Sequence, residues 1–262
     1  MGMKAIKGLV IGSVIGSAIE LAIGLALCAA GMALAQAAEH PAVKYAVDLP
    51  PPADLSYLIK ARQSGFSING EALISWRVAD GKYALLAETR ATLLGKVMEN
   101  RSEGAIDGFG LAPTSFFEKR FRKEPATTTF DRAARSIVFT DGKLTYPLQG
   151  GEQDRTSAPW QLVAAARAAP DKFTPGSEWV FFVAGRRDAE PWSFKVIKHE
   201  KVQTGIGEVD ALHLVKAPPP DSKGQQLDIW LAPGHEWYPV RLRFADKDGE
   251  FVDQTLEKIV RK

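Results

Sequence analysis

The chain offers few side chains that could do chemistry, and their spacing limits what that chemistry would be. Its histidines are His40, His199, His213 and His235, and its one cysteine is Cys28. A transition-metal site needs clustered imidazole, thiolate or carboxylate ligands, and these are scattered. His199-Glu200 lacks the second histidine that would complete a zinc-protease helix, and it falls in a strand-like segment. His213 stands between Leu212 and Leu214, where a hydrogen-bonded structural or surface histidine is expected. A serine nucleophile wants a G-x-S-x-G elbow between strand and helix. Gly65 to Gly70 comes nearest and has the wrong spacing.

Glu99 and Glu103 fall on one face of a predicted strand, a placement that permits shared acid-base work but also suits ordinary solvated carboxylates. Lys119-Arg120-Phe121-Arg122-Lys123 is the densest basic run. It suits phosphates of a lipid head group or of nucleic acid, or simply a charged strand edge that blocks pairing with other sheets. No triad, metal cluster or phosphate loop emerges, so the chain is expected to be non-enzymatic and to need no cofactor.

Apolar bulk is the remaining asset. Trp76, Tyr83, Trp179, Phe181, Trp192, Phe194 and Trp230 lie on strand-like segments, with Phe117, Phe182 and Trp237 beside them. In a curved sheet such residues either fill a core or line a cavity. The first seven are the candidate lining of a site for an apolar or amphipathic small molecule.

The elements that must position these residues follow from periodicity. Lys4 and Lys7 precede an apolar stretch from Gly8 to Ala35 that ends on Ala35-Gln36-Ala37. That is the order of a secretory signal, predicting cleavage before Ala38. The stretch is also long enough to span a bilayer, which leaves an uncleaved anchor over residues 1–37 as the alternative. Gly8, Gly12 and Gly16 would align on one helix face, and Leu25-Ala26-Leu27-Cys28 resembles a lipidation motif with a large residue where a small one is wanted. Residues 38–53, with three consecutive prolines from Pro50 to Pro52, read as an extended linker holding the domain away from the membrane or the cleavage point.

From residue 54 to 262 the dominant period is two, the mark of half-buried strands. Ala72, Ile74, Trp76 and Val78 alternate with Glu71, Ser75 and Arg77, while Val240, Leu242 and Phe244 alternate with Arg241 and Arg243. Asn69-Gly70, Asp80-Gly81, Asp141-Gly142 and Asp248-Gly249 supply turn chemistry. The pattern predicts fifteen strands, with separate ones near 191–198 and 201–205. One helix is predicted over Ala158 to Ala169, opened by Ser157-Ala158-Pro159 and stopped by Pro170. It should pack across one end or face of the sheet, its alanines leaving space beneath.

The 262 residues carry 33 basic and 31 acidic side chains, a formal charge of +2. Losing Lys4, Lys7 and Glu20 with the leader leaves one positive charge, so no long-range field for nucleic acid arises. The mature chain would hold no cysteine and no disulfide framework.

The order Leu227-Asp228-Ile229-Trp230-Leu231-Ala232-Pro233, Tyr238-Pro239-Val240-Arg241-Leu242 and Asp248-Gly249 resembles exported bacterial proteins grouped as domain of unknown function 3108. Gly70 to Gly81 fits the same family, as does Gln153-Asp154 followed by Ser157 through Arg167. The resemblance covers about residues 54 to 260. It implies a mainly β fold in the periplasm, an antiparallel curved or barrel-like sheet with one helix, and it supplies no catalytic residues. A looser likeness of fold connects such sheets to periplasmic lipoprotein carriers. Two functions follow as expectations: binding of a lipid or other amphipathic envelope ligand, or structural and assembly work through an envelope protein partner. Nucleic acid is not an expected partner, and membrane contact is expected only through an uncleaved leader.

Overall fold

The computed structural model describes residues 40–218 and 224–262. The leader, its glycine face and Cys28 lie outside the described residues. Among the described residues, fifteen strands form a single sheet. They are β1 (Ala53–Gln63), β2 (Phe66–Ala79), β3 (Lys82–Ala91), β4 (Gly95–Asp107), β5 (Gly110–Arg120), β6 (Ala126–Asp131), β7 (Ser136–Phe139), β8 (Tyr146–Pro147), β9 (Gln153–Asp154), β10 (Glu178–Ala184), β11 (Ala189–Thr204), β12 (Gly207–Lys216), β13 (Gln226–Leu231), β14 (Pro239–Ala245) and β15 (Phe251–Arg261). The helix α1 (Ser157–Ala168) sits between β9 and β10.

Strands adjacent in sequence pair antiparallel, except that β8 and β9 do not pair and β9 runs parallel to β10. Pairing of β1 with β15 joins the two halves, leaving β8 and β9 as the edges. The sheet curves without closing into a hydrogen-bonded barrel. The predicted break near residue 200 is absent, because a bulge between Val196 and Lys198 lets β11 continue to Thr204. A bulge absorbs an extra residue without ending the strand.

Two turn assignments differ from expectation. Asp80 and Gly81 both have positive φ, 51° and 69°, and join β2 to β3 as a two-residue hairpin. Asn69 and Gly70, by contrast, lie inside β2. A side chain at Gly70 would strike the Arg90 carbonyl of β3, so glycine is there for close backbone approach. The turn itself is Ser64-Gly65, with φ 50° and 80°. Gly142 likewise sits against the Arg187 backbone.

Register places side chains on faces. Trp76 is opposite Leu85, Leu85 opposite Ser102, and Ser102 opposite Phe116, so all four share the face that also carries Leu55 and Tyr57. Continuing that face through β6 to β8 adds Phe130, Ile137, Phe139 and Tyr146. These bury against Phe182, Ala184 and Ala189 in a separate small core. Phe182 points away from the face that bears Phe181. The edge formed by β5 to β8 therefore laps over the outside of β10, and the sheet is rolled like a scroll whose margins overlap.

The proline-rich segment is no free linker. Val43 N–H donates to Gly150 O, and Asp48 N–H to Ala164 O. Pro50, Pro51 and Pro52 present carbonyls to the Trp76 indole N–H, the Tyr238 hydroxyl and the Lys262 amide. Prolines cannot donate to a ladder, but their carbonyls accept. Residues 40–52 thus form a strap docked on the domain.

Candidate functional site

Six of the seven candidate lining residues share one face of the sheet. Trp179 is opposite Phe194 and Phe181 opposite Trp192, and Tyr83 follows Leu85 on the face of Trp76. All six are buried and belong to one core with α1. Phe181 and Phe194 meet with centroids 6.1 Å apart, and Trp192 touches Phe194 at the same separation. These rings pack on one another.

Trp230 is buried in the same core but on a different face. It neighbours Ile229 and Leu231, which face α1, and so points to the other side of the sheet. There its indole lies between the His213 ring, stacked at 4.3 Å, and the Arg241 guanidinium, 4.7 Å from its centroid. The indole N–H donates to Glu200, whose carboxyl is held below its usual range by the Lys198 ammonium and that indole. His213 Nε2 meets Asp228 at 2.8 Å, and Arg241 forks onto Asp253. His213 is therefore a structural residue with carboxylate partners. Among the described residues no group of three or more His, Cys, Asp or Glu could hold a metal.

The helix is apolar on every side, with Ser157 to Ala166 all buried. Such a helix needs cover all round. The sheet covers one side, through stacking of Trp160 on Trp76 and its edge contact with Tyr238. Gln161 pins the start of β5, accepting the Leu111 N–H and donating to Phe109 O. The strap covers the other side at Asp48. Arg167 then ties the last turn to Asp48 at 3.0 Å and to Glu236. The alanines leave no void of the expected kind: Ala158, Ala164, Ala165 and Ala166 are wholly enclosed, because small side chains let strap and sheet approach.

Polar groups concentrate where α1 begins. Asp154 accepts the Thr156 and Ser157 amides and the Ser102 hydroxyl, and Ser102 meets Tyr83 Oη at 2.9 Å. Burial pushes the Asp154 carboxyl up to about 6, against the opposing pull of those donors. Burial likewise raises the Tyr83 phenol well above its ordinary value. Asp154 and Ser102 are fully enclosed, so this cluster locks the helix start to β4 and has no path to an outside reactant in this conformation.

Beside it, His40 Nε2 lies 2.9 Å from Glu152, and its ring stacks on Phe182 at 3.6 Å. Burial would raise the Glu152 carboxyl, but hydrogen bonds from His40 and the Gly150 and Gln149 amides outweigh it and hold it low. The strap is thereby fastened at the lapped margin. Nothing local in the sequence signals the seat of His40. Glu99, a candidate for paired acid-base work, is engaged by Lys96 and Arg101, while Glu103 is exposed about 13 Å along the strand. The two do not form a pair.

A rolled antiparallel sheet with one helix clasped between it and an N-terminal strap defines a barrel-like β domain. The model of the family described as Protein of unknown function (DUF3108) matches residues 56–257, and the chain belongs to that family. The beta-barrel-like DUF1849 protein of Brucella abortus is similar, with TM-score 0.55 and 13% identity over 83% of this chain and 100% of that one. That likeness concerns the fold alone. A Bacteroides fragilis protein with a YmcC-like fold aligns over 84% of this chain and 100% of its own, with 10% identity and TM-score 0.34, too distant to weigh. No curated protein matches the sequence.

Proposed function

We propose that the chain is a non-enzymatic protein of the bacterial envelope, exported to the periplasm, that works through its outer surface on a neighbouring envelope component. The observation that carries this is the burial of α1 on all sides: the ground between strap and sheet, where a carried molecule would sit, is held by the protein's own helix. Export rests on the charged, apolar, small-residue order of residues 1–37. Gently purified protein, examined by native mass spectrometry and organic extraction, is expected to carry no stoichiometric amphiphile. A bound lipid recovered at one per chain would overturn the reading.

One observation favours carriage instead. Trp179 borders a surface recess of about 300 Å³ lined also by Lys44, Tyr45 and Ala46 of the strap and by Ala169 and Lys172. An amphiphile seated there would quench or shift the Trp179 fluorescence on addition of an apolar probe, and would do so less in Ala46→Trp protein.

A further inference from the structure

Large apolar side chains are exposed at three hairpin turns that the topology brings to one end of the sheet. The turns between β1 and β2, β3 and β4, and β5 and β6 all lie at that end, because the strands alternate in direction. Leu93 is 95% exposed, Phe66 73%, Leu94 52% and Phe121 40%. Turn positions ordinarily go to Gly, Asn, Asp or Ser. At the opposite ends of these same strands the turns are Asp80-Gly81, which follows that rule, and Gly108-Phe109, whose aromatic ring is half-buried against Lys44 and Gly150 rather than exposed. Neither hairpin geometry nor the core explains Leu93 and Leu94, since Gly95 supplies the positive φ of their turn.

The charges around these tips are mixed at β1–β2, where Glu250 of the neighbouring β14–β15 turn accepts the Ser64 N–H and Asp248 is exposed, and mainly basic at β5–β6, where Glu124 is the one exposed acid. Lys96 is held by Glu88 and Glu99, and Arg120 by Glu118. Arg62, Lys119, Arg122 and Lys123 stand exposed beside the tips, and the Arg122 guanidinium lies 4.9 Å from the Phe121 centroid. Adjacent tips are two strands apart, roughly 10 Å, so their apolar groups are separate points rather than a continuous patch. A rigid protein partner would need a matching socket for each point. A bilayer interface accepts them all, because acyl chains flow around each side chain while anionic head groups meet the surrounding cations.

We infer that these three hairpin tips form a docking surface for an anionic phospholipid bilayer, inserting Phe66, Leu93, Leu94 and Phe121 with Arg62, Lys119, Arg122 and Lys123 at head-group level. The inference rests on the reading that the protein acts through its outer surface, and it describes a membrane contact that does not use the leader.

The test reads the tip itself, so that adsorption through the leader cannot mimic it. In full-length Cys28→Ser protein, an environment-sensitive fluorophore is placed on Leu93→Cys or, as a control at the opposite end, on Lys82→Cys. Vesicles are phosphatidylcholine alone or mixed with phosphatidylglycerol. The label at 93 is expected to shift to the blue with the anionic vesicles, less so in high salt, while the label at 82 does not. Phe66→Ser with Leu94→Ser should abolish the shift, and Lys119→Glu with Arg122→Glu should weaken binding roughly tenfold or more. An unchanged spectrum at 93, equal shifts at 93 and 82, or indifference to the charge reversals would overturn the inference. An amphiphile found inside the purified protein would instead count against the surface reading, whatever the vesicles show.

Discussion

Trp160 of α1 lies flat on Trp76 of β2, with ring centroids 4.9 Å apart and planes inclined by 21°. Because the Trp76 indole N–H also donates to Pro50 O at 2.9 Å, sheet, helix and strap meet at one pair of rings. Trp160→Ala should cost about 3 to 5 kcal/mol, as for other buried tryptophans. Urea denaturation followed by circular dichroism measures it, and a loss below about 1 kcal/mol would mean that the helix is held elsewhere.

Asp154 makes stability depend on pH in a particular direction. Its folded value of about 6 lies above the ordinary 3.8, so the folded chain binds this proton more tightly than the unfolded one. The contribution is full below pH 4 and is lost as pH rises through 6. Asp154→Asn keeps an acceptor for the Thr156 and Ser157 amides and cannot titrate. The stability of the natural protein relative to this variant should fall by about 2 kcal/mol between pH 4 and pH 7. A difference that stays constant across urea titrations at several pH values would contradict the assignment.

Gly249 lies in the five-residue loop between β14 and β15, with φ +82° and open space around it. Gly249→Val should destabilise by about 1 to 3 kcal/mol through backbone strain alone. Gly70→Ala should also destabilise, for the different reason that its methyl group would part β2 from β3. Calorimetric melting of both variants tests the distinction: Gly249→Asn should recover much of the loss, since Asn tolerates positive φ, whereas no side chain at 70 should.

Cleavage after Ala37 leaves His40 two residues inside the new terminus, free to reach its seat against Phe182 and Glu152. Amino-terminal sequencing of protein taken from an envelope fraction is expected to return Ala38 first. A full-length species that survives carbonate washing of the membranes would identify an anchor instead.

Alternation and turn residues made the strands and the helix legible, because both are local in sequence. The strap was not, since a run of prolines has no period and its carbonyl acceptors work only after Trp76 and Tyr238 arrive from distant strands. The face of Trp230 was not legible for a related reason. Ile229, Trp230 and Leu231 are all apolar, so parity gives no direction; the indole is buried by His213 and Arg241 of the flanking strands. Asn69-Gly70 misled because glycine serves a turn and a close strand approach equally well. The lapped margin rests on Phe182 meeting Tyr146 within a cluster that includes Phe116 and Phe130, an arrangement that no single segment encodes.

Pairing of β1 with β15 sets a schedule for the nascent chain. Synthesis delivers the middle strand of the sheet first and its second partner last, whereas the two margins, β8 and β9, are made in succession. Until β15 is available, β1 has a native neighbour on one flank only. A product terminated before Phe251 would expose unpaired backbone along both β1 and β14, the kind of surface that templates aggregation. Loss of β15 therefore opens the sheet at its centre, while a break between β8 and β9 would fall where the sheet already ends.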